Sequence, residues 1–290
     1  MVLAFQISLL VIVFGYGLRA KFADLLYLYR RPALLLRSLI VVLVLMPAVA
    51  VALARWFDFT PTVEIALVAL AISPLPPLLP TREAKAGGGE RYGLGLIVVL
   101  AVLSIALVPL AVRLLGSVFG RTYVTTPATI ALVMSTSILL PLLVGMLTRV
   151  IAPTLADKVA TQLARAAKVL MPVAVVLLIA VAGSDVWRLV GNGTIIAITV
   201  FVATGFAVGH LLGGPEPENA AVLAFSAACR HPGTALAIAA ANYPDENLRA
   251  AILIYLAVNV VFGLSYAFWR RNRIRHQASA IGPPSAAKPE

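Results

Sequence analysis

The sequence predicts an all-helical, polytopic membrane protein, and three observations carry that prediction. Its 290 residues are 61% hydrophobic and only 12% charged, with a mean hydropathy of +0.98. Soluble domains hold about 45–50% apolar and about 25% charged residues, and no soluble fold hides this much apolar surface, so the solvent must be lipid. Apolar runs recur from end to end; at about 20 residues per crossing the length is filled by roughly nine or ten helices, with nothing left for a soluble domain. Finally, the 23 Lys and Arg residues gather in alternate connections.

Cut at charge, Gly and Pro clusters, the chain gives nine segments. The first, 2–18, lacks a basic n-region and a small-residue cleavage site, so it is expected to remain as a span rather than leave as a signal peptide. The second covers 33–54. The third, 62–79 with a ragged extension to 87, contains Pro74, Pro76, Pro77 and Pro80 where bilayer should be. The fourth, fifth, sixth and seventh cover 92–114, 128–148, 169–184 and 194–212. The eighth, 220–242, carries Arg230, His231, Pro232 and Gly233 at its centre, and the ninth covers 248–269. The remainder, 270–290, is polar and Pro-rich and is expected to be a disordered tail.

The net charge of +11 is read through the loops. One side of an alternating nine-span chain holds Arg19, Lys21, Arg30, Arg31 and Arg37, then Arg82, Lys85 and Arg91. It also holds Arg149, Lys158, Arg165 and Lys168, and the tail adds Arg270, Arg271, Arg273, Arg275 and Lys288. The other side has only Arg55, Arg113, Arg121, Arg188 and Arg249. The positive-inside bias then places the chain in the cell membrane with its N-terminus outside and its C-terminus cytoplasmic. The charge needs no nucleic-acid partner to explain it.

Proline removes a backbone donor and clashes with the preceding turn, so the third and eighth spans should be interrupted: the first at Pro74, Pro77 and Pro80, the second at Pro232 and Gly233. Non-helical backbone survives at membrane depth only when buried in protein or lining a cavity. Two broken helices five spans apart are oppositely oriented, the pattern of an inverted repeat. Secondary transporters are built this way, with half-helix ends meeting at a midplane site.

Arg230 is the most informative residue, because a charge near the bilayer centre normally faces a polar interior and has a role. It could cap carbonyls exposed by the broken helix or pair with Glu83. It could instead bind or gate an anion in the pathway, its fork matching two carboxylate or sulfonate oxygens. His231 could couple transport to protons, or be held by hydrogen bonds at the helix break. Arg82, Glu83 and Lys85 either line the cytoplasmic end of the third span or sit at the interface. Cys229, the single cysteine, excludes an internal disulfide and reads as a small buried residue. No GxxxxGKS, HExxH or GxSxG motif is present, so neither an ATP-driven pump nor an enzyme is indicated, and no cofactor is expected.

The segment FGYGLRAKFADLLYLYRRPALLLRSLIVVLVLMPAVAVALA resembles the bile acid:sodium symporter family through Gly15, Gly17, Asp24, Pro32 and Met46-Pro47-Ala48. SAACRHPGTALAIAAANY resembles that family's second crossover helix, keeping Gly233, Leu236 and Ala237, and the broken third span stands where the family has its first. The resemblance runs from residue 5 to 269. It implies a mobile core of spans 2, 3, 4, 7, 8 and 9 moving against a panel of spans 1, 5 and 6.

The departures fall on the ion sites. At the first crossover only Thr81 stays polar. At the second, Ser226, Arg230 and His231 stand where the family has a glutamate and amides, and the fourth span keeps only Ser104. Sodium sites in such folds need several oxygens, so sodium coupling is expected to be weakened or lost. The expected function is secondary transport of a small or amphipathic organic anion by alternating access, with protons through His231 as an open partner. The alternatives are a genuine sodium-coupled symporter, a carrier resembling the auxin and arsenite exporters, or a membrane interaction or sensory protein that kept the fold and lost transport.

Overall fold

The computed structural model describes the chain except residues 1–9, 12, 21, 58, 77–78, 120–127, 129–130, 133–134, 191–192, 237–247 and 282–290. Among the described residues all regular structure is helical. A helical stretch within the first span is followed by α1 (Phe22–Tyr29) and α2 (Pro32–Trp56). The third span is split into α3 (Pro61–Ile72) and α4 (Leu79–Lys85). Then come α5 (Glu90–Phe119), α6 (Leu140–Ile151), α7 (Pro153–Val190) and α8 (Thr194–Leu212). The eighth span begins as α9 (Pro217–Ala228), stops at Cys229, and restarts over residues 232–236, before the last helix, α10 (Arg249–Ile281).

Proline sets many of these boundaries. Pro32, Pro61, Pro153 and Pro217 open their helices, where the missing N–H is unneeded and the fixed φ fits the first turn. Deeper in a helix the same residue loosens it. Pro47 follows a π-helical stretch at Ile40–Leu45, and Pro141 follows another at Ser135–Leu139. In each the backbone widens to absorb the absent donor.

Four helices are long and apolar enough to cross a membrane among the described residues: Pro32–Trp56, Glu90–Arg113, Thr194–Leu212 and Arg249–His276. Their outward faces expose Leu36, Val44, Leu110, Ile196, Val261 and Leu264, which in water would be an aggregating surface and in lipid is a solvated one. The largest buried cluster joins α2, both halves of the third span, α5, α8, α9 and α10. A second cluster ties Val13 and Tyr16 of the first span to Val98 and Val108 of α5 and to Leu142 and Met146 of α6. A third joins Leu18 to Ala156 and Ala160 of α7. Near the far end of α7, Val186 and Leu189 pack on the large cluster.

A close helix contact joins α8 and α9. Gly205, Gly209 and Gly213 meet Ala228, Ala224 and Ala220, rising along one chain as they fall along the other, so the helices run antiparallel in a fixed register. A Cβ on Gly205 would lie 2.7 Å from Ala228 Cα. Small residues at four-residue spacing let backbones approach where lipid offers no hydrophobic drive.

Two expected boundaries are corrected. The tail expected to be disordered from 270 is helical to Ile281. RRNRIRHQASA contains no Gly or Pro to stop it, Arg270 Nη2 donates to Pro217 O at 2.9 Å, and Arg271 Nε donates to Lys85 O at 2.8 Å. The basic segment ahead of the sixth span is also helix, continuous from Pro153.

Candidate functional site

The first break follows from an Xaa-Pro step, which disfavours helical geometry in the preceding residue. Ser73 before Pro74 is extended (φ −69°, ψ 145°) and ends α3; its hydroxyl donates back to Ala69 O at 2.6 Å. Cys229, also extended (φ −93°, ψ 124°), ends α9, and Pro232 opens the next helical turn. The two breaks touch: His231 N–H donates to Pro74 O at 3.0 Å. The third and eighth spans therefore cross at their non-helical centres.

Broken helices leave orphan carbonyls that lipid cannot satisfy, and the neighbours of the crossing supply donors. The Tyr255 hydroxyl donates to Ala228 O at 3.1 Å, and Asn259 Nδ2 donates to the same oxygen at 3.0 Å. Tyr255 and Asn259 stand one turn apart on α10. Asn259 Oδ1 in turn accepts from Arg82 Nη1 at 2.9 Å and from Cys229 Sγ at 3.2 Å. His231 Nδ1 accepts from the backbone N–H of Thr234 at 3.0 Å, capping the restarted turn, with the Thr234 hydroxyl 3.1 Å away.

Arg230 is 2% exposed. Its Nη2 donates to Val42 O at 2.9 Å and its Nη1 reaches Ser73 O at 3.5 Å. The Val42 carbonyl is free because of the π-helical stretch. Met46 N–H bonds Val41 O instead, and Pro47, next in line, has no N–H. The proline in α2 thus prepares the oxygen that an arginine in the eighth-span break satisfies. Pairing with Glu83 does not occur; Glu83 Oε1 accepts from Ser226 Oγ at 3.2 Å. Arg230 Nε has no partner, and no carboxylate pairs with this guanidinium among the described residues.

Arg230 also lines a cavity of about 160 Å³ between α2, α3 and α5. Its walls are mostly aliphatic, including Val42, Pro47, Leu100 and Leu107, with Ser73 and Ser104 as the other polar residues. Ser104 Oγ is turned to its own helix, donating to Ala101 O at 2.7 Å, as Ser73 Oγ is. Val42 O and Ser73 O accept from Arg230, and Pro74 O accepts from the His231 N–H. No group of three or more His, Cys, Asp or Glu is present among the described residues.

The structure thus brings Arg230 and Ser104 to the cavity, sets the His231 N–H on Pro74 in its wall, and joins Glu83 to Ser226. Arg82 turns away to Asn259. Pro80 lies in the first turn of α4, and Pro232 and Gly233 lie in the restarted turn, so these three begin helices rather than interrupt them. Thr81 is within α4, where only its backbone is described, and Pro77 lies outside the described residues. Tyr255, Asn259 and Thr234 complete the site without having been singled out for it. The four-residue spacing of Tyr255 and Asn259 was the available signal.

At the end where α1 meets α9, Arg31 pairs with Glu216 at 2.7 Å, a bond that raises the arginine pKa further. Between α8, α9 and α10 the aromatic rings of Phe206, Phe225 and Tyr266 pack together.

Residues 6–192 match the family described as Sodium Bile acid symporter family. No curated protein matches the chain.

Proposed function

Since the chain belongs to the sodium bile acid symporter family, a family of multi-pass membrane transporters, we propose that it moves a small or amphipathic organic anion by alternating access. One observation carries the reading: a buried arginine with no carboxylate partner among the described residues lines an apolar cavity at the crossing of two broken helices. A cation held this way attracts an anion, and the unpartnered Nε gives a carboxylate or sulfonate oxygen a donor without first breaking the carbonyl bonds. The aliphatic walls favour a ligand with an apolar body. The large cluster supplies the moving core, and the first span with α6 supplies the panel, with α5 between them. The charge bias supports an external N-terminus in the cell membrane.

Sodium coupling is weak or lost in this reading, because the oxygens at the crossing already serve Arg230 and their own helices. Uptake of a panel of organic carboxylates and sulfonates into proteoliposomes tests both parts. The expected result is uptake by the wild type, lost in Arg230→Gln, with equal rates in sodium chloride and choline chloride. Strict sodium dependence refutes the coupling statement. Absence of uptake, together with no anion that raises the melting temperature, refutes transport and favours an interaction protein on the same fold.

A further inference from the structure

Glu83 is the one buried carboxylate among the described residues, at 2% exposure, and the anion site just described does not use it. It stands on α4, the second half of the first broken helix. Its Oε1 accepts from Ser226 on α9, the first half of the second broken helix, at 3.2 Å. Its Oε2 is buried without a partner, and α5 presses so close that a Cβ on Gly93 would collide with that oxygen. Three elements of the core therefore close on one carboxyl group.

Among the described residues, the charged and titratable groups on the elements packed around it are engaged elsewhere or exposed. On α4 itself, Arg82 bonds Asn259 and Lys85 is exposed. On α5, Glu90 and Arg91 are exposed, and the buried Tyr92 hydroxyl lies 2.7 Å from Ser38 Oγ. From α9, Glu218 is exposed and Cys229 bonds Asn259. From α10, Arg270 bonds Pro217 O and Arg271 bonds Lys85 O. None of them makes an ion pair with Glu83. An ionised carboxylate without a cation or full hydrogen bonding is among the costliest groups to bury. A metal ion here would find one hydroxyl and one carboxylate, too few oxygens for a hard cation. A proton needs only the free oxygen.

We propose that Glu83 is the site where the protein binds and releases a proton that travels with its anionic substrate. The step is a simple protonation: the carboxylate takes a proton to become the neutral acid and returns it on the other side. Ser226, its partner, lies in the last turn of α9, just ahead of the break that carries Arg230. With an anion on Arg230 and a proton on Glu83, the core carries no uncompensated buried charge as it moves, which is the condition for crossing a low-dielectric barrier. The inference rests on the anion-transport reading.

The test uses the full-length protein in two measurements. Infrared spectra at neutral pH should show the carbonyl stretch of a protonated carboxylic acid that shifts in deuterium oxide and vanishes in Glu83→Gln. Ser226→Ala, which removes only one hydrogen bond, should move that band without removing it, and it serves if Glu83→Gln does not fold. In proteoliposomes, an inward gradient of one pH unit should accumulate a transported anion of the panel about tenfold at one proton per monoanion, while Glu83→Gln equilibrates it without accumulation. Absence of a band that depends on Glu83, or equal accumulation by Glu83→Gln, overturns the proposal. So does a melting temperature that rises in sodium chloride over choline chloride for the wild type but not for Glu83→Gln, which would make this a sodium site. Transport that ignores the pH gradient overturns only the proton coupling; a wild type that carries no anion overturns the transport reading as well.

Discussion

Gly205→Ala adds one methyl group at the place where α8 supports the end of α9. The built Cβ lies 2.7 Å from Ala228 Cα and 2.9 Å from Ala228 N, where ordinary contact begins at 3.4 Å, a shortfall of about 0.7 Å. Both atoms are backbone, so no side chain can rotate away. Either α9 moves or α8 does, and the register with Gly209 and Gly213 resists both. Overpacking of this kind costs about 1–3 kcal/mol, offset by about 1 kcal/mol because alanine favours a helix over glycine. A net loss of up to about 2 kcal/mol should lower the melting temperature by up to about 8 °C, read by thermal unfolding in detergent. Gly15→Ala is the matched control: its Cβ would meet Leu163 at 3.6 Å, an ordinary contact, and it should melt at or above the wild-type temperature. Because Ala228 immediately precedes the break that carries Arg230, Gly205→Ala should also slow anion uptake more than its stability loss explains. If Gly205→Ala melts with Gly15→Ala, the α8–α9 contact is looser than described and the argument from backbone approach is wrong.

Further outcomes follow from the same structure. Arg230→Met should remove the donors that hold Val42 O and Ser73 O and destabilise by about 1–3 kcal/mol per orphaned carbonyl, with uptake abolished; retained uptake would take the arginine out of the pathway. His231→Ala should lose the cap on Thr234 at about 1 kcal/mol, whereas His231→Asn, another good cap, should restore both stability and the pH profile of uptake. A changed pH profile in His231→Asn would return the proton to the histidine. Ending the chain after Trp269 should cost about 1–3 kcal/mol through the lost bonds to Pro217 O and Lys85 O, seen as a lower melting temperature; an unchanged one would make the extension dispensable.

Hydropathy and proline placement made much of the architecture legible. The α3 break falls where Pro74 puts it, because backbone geometry at Xaa-Pro is a local property, whereas α9 stops at Cys229, three residues ahead of Pro232, which opens the restarted turn. The tail was misjudged because helix continuation past Trp269 depends on Arg270 and Arg271 finding carbonyls on α9 and α4, far away in sequence. The site was legible only in its strangest residue. Arg230 stands out in any apolar run, yet Tyr255 and Asn259 look like ordinary members of a span until their oxygens and nitrogens meet Ala228 O.

By itself the sequence determined the solvent, the number of crossings it could fill, the charge bias and the two places where helices must stop. These depend on composition, on local sterics and on transfer to lipid, and each can be summed along a chain. Only the tertiary structure decided what Arg230 and Glu83 touch. The arginine holds a carbonyl that Pro47 left bare more than 180 residues away, and the carboxylate shares a hydroxyl with the other broken helix. Hydrogen bonds act over about 3 Å and have no sequence signature of their own, so partners that distant become visible only once the helices are packed.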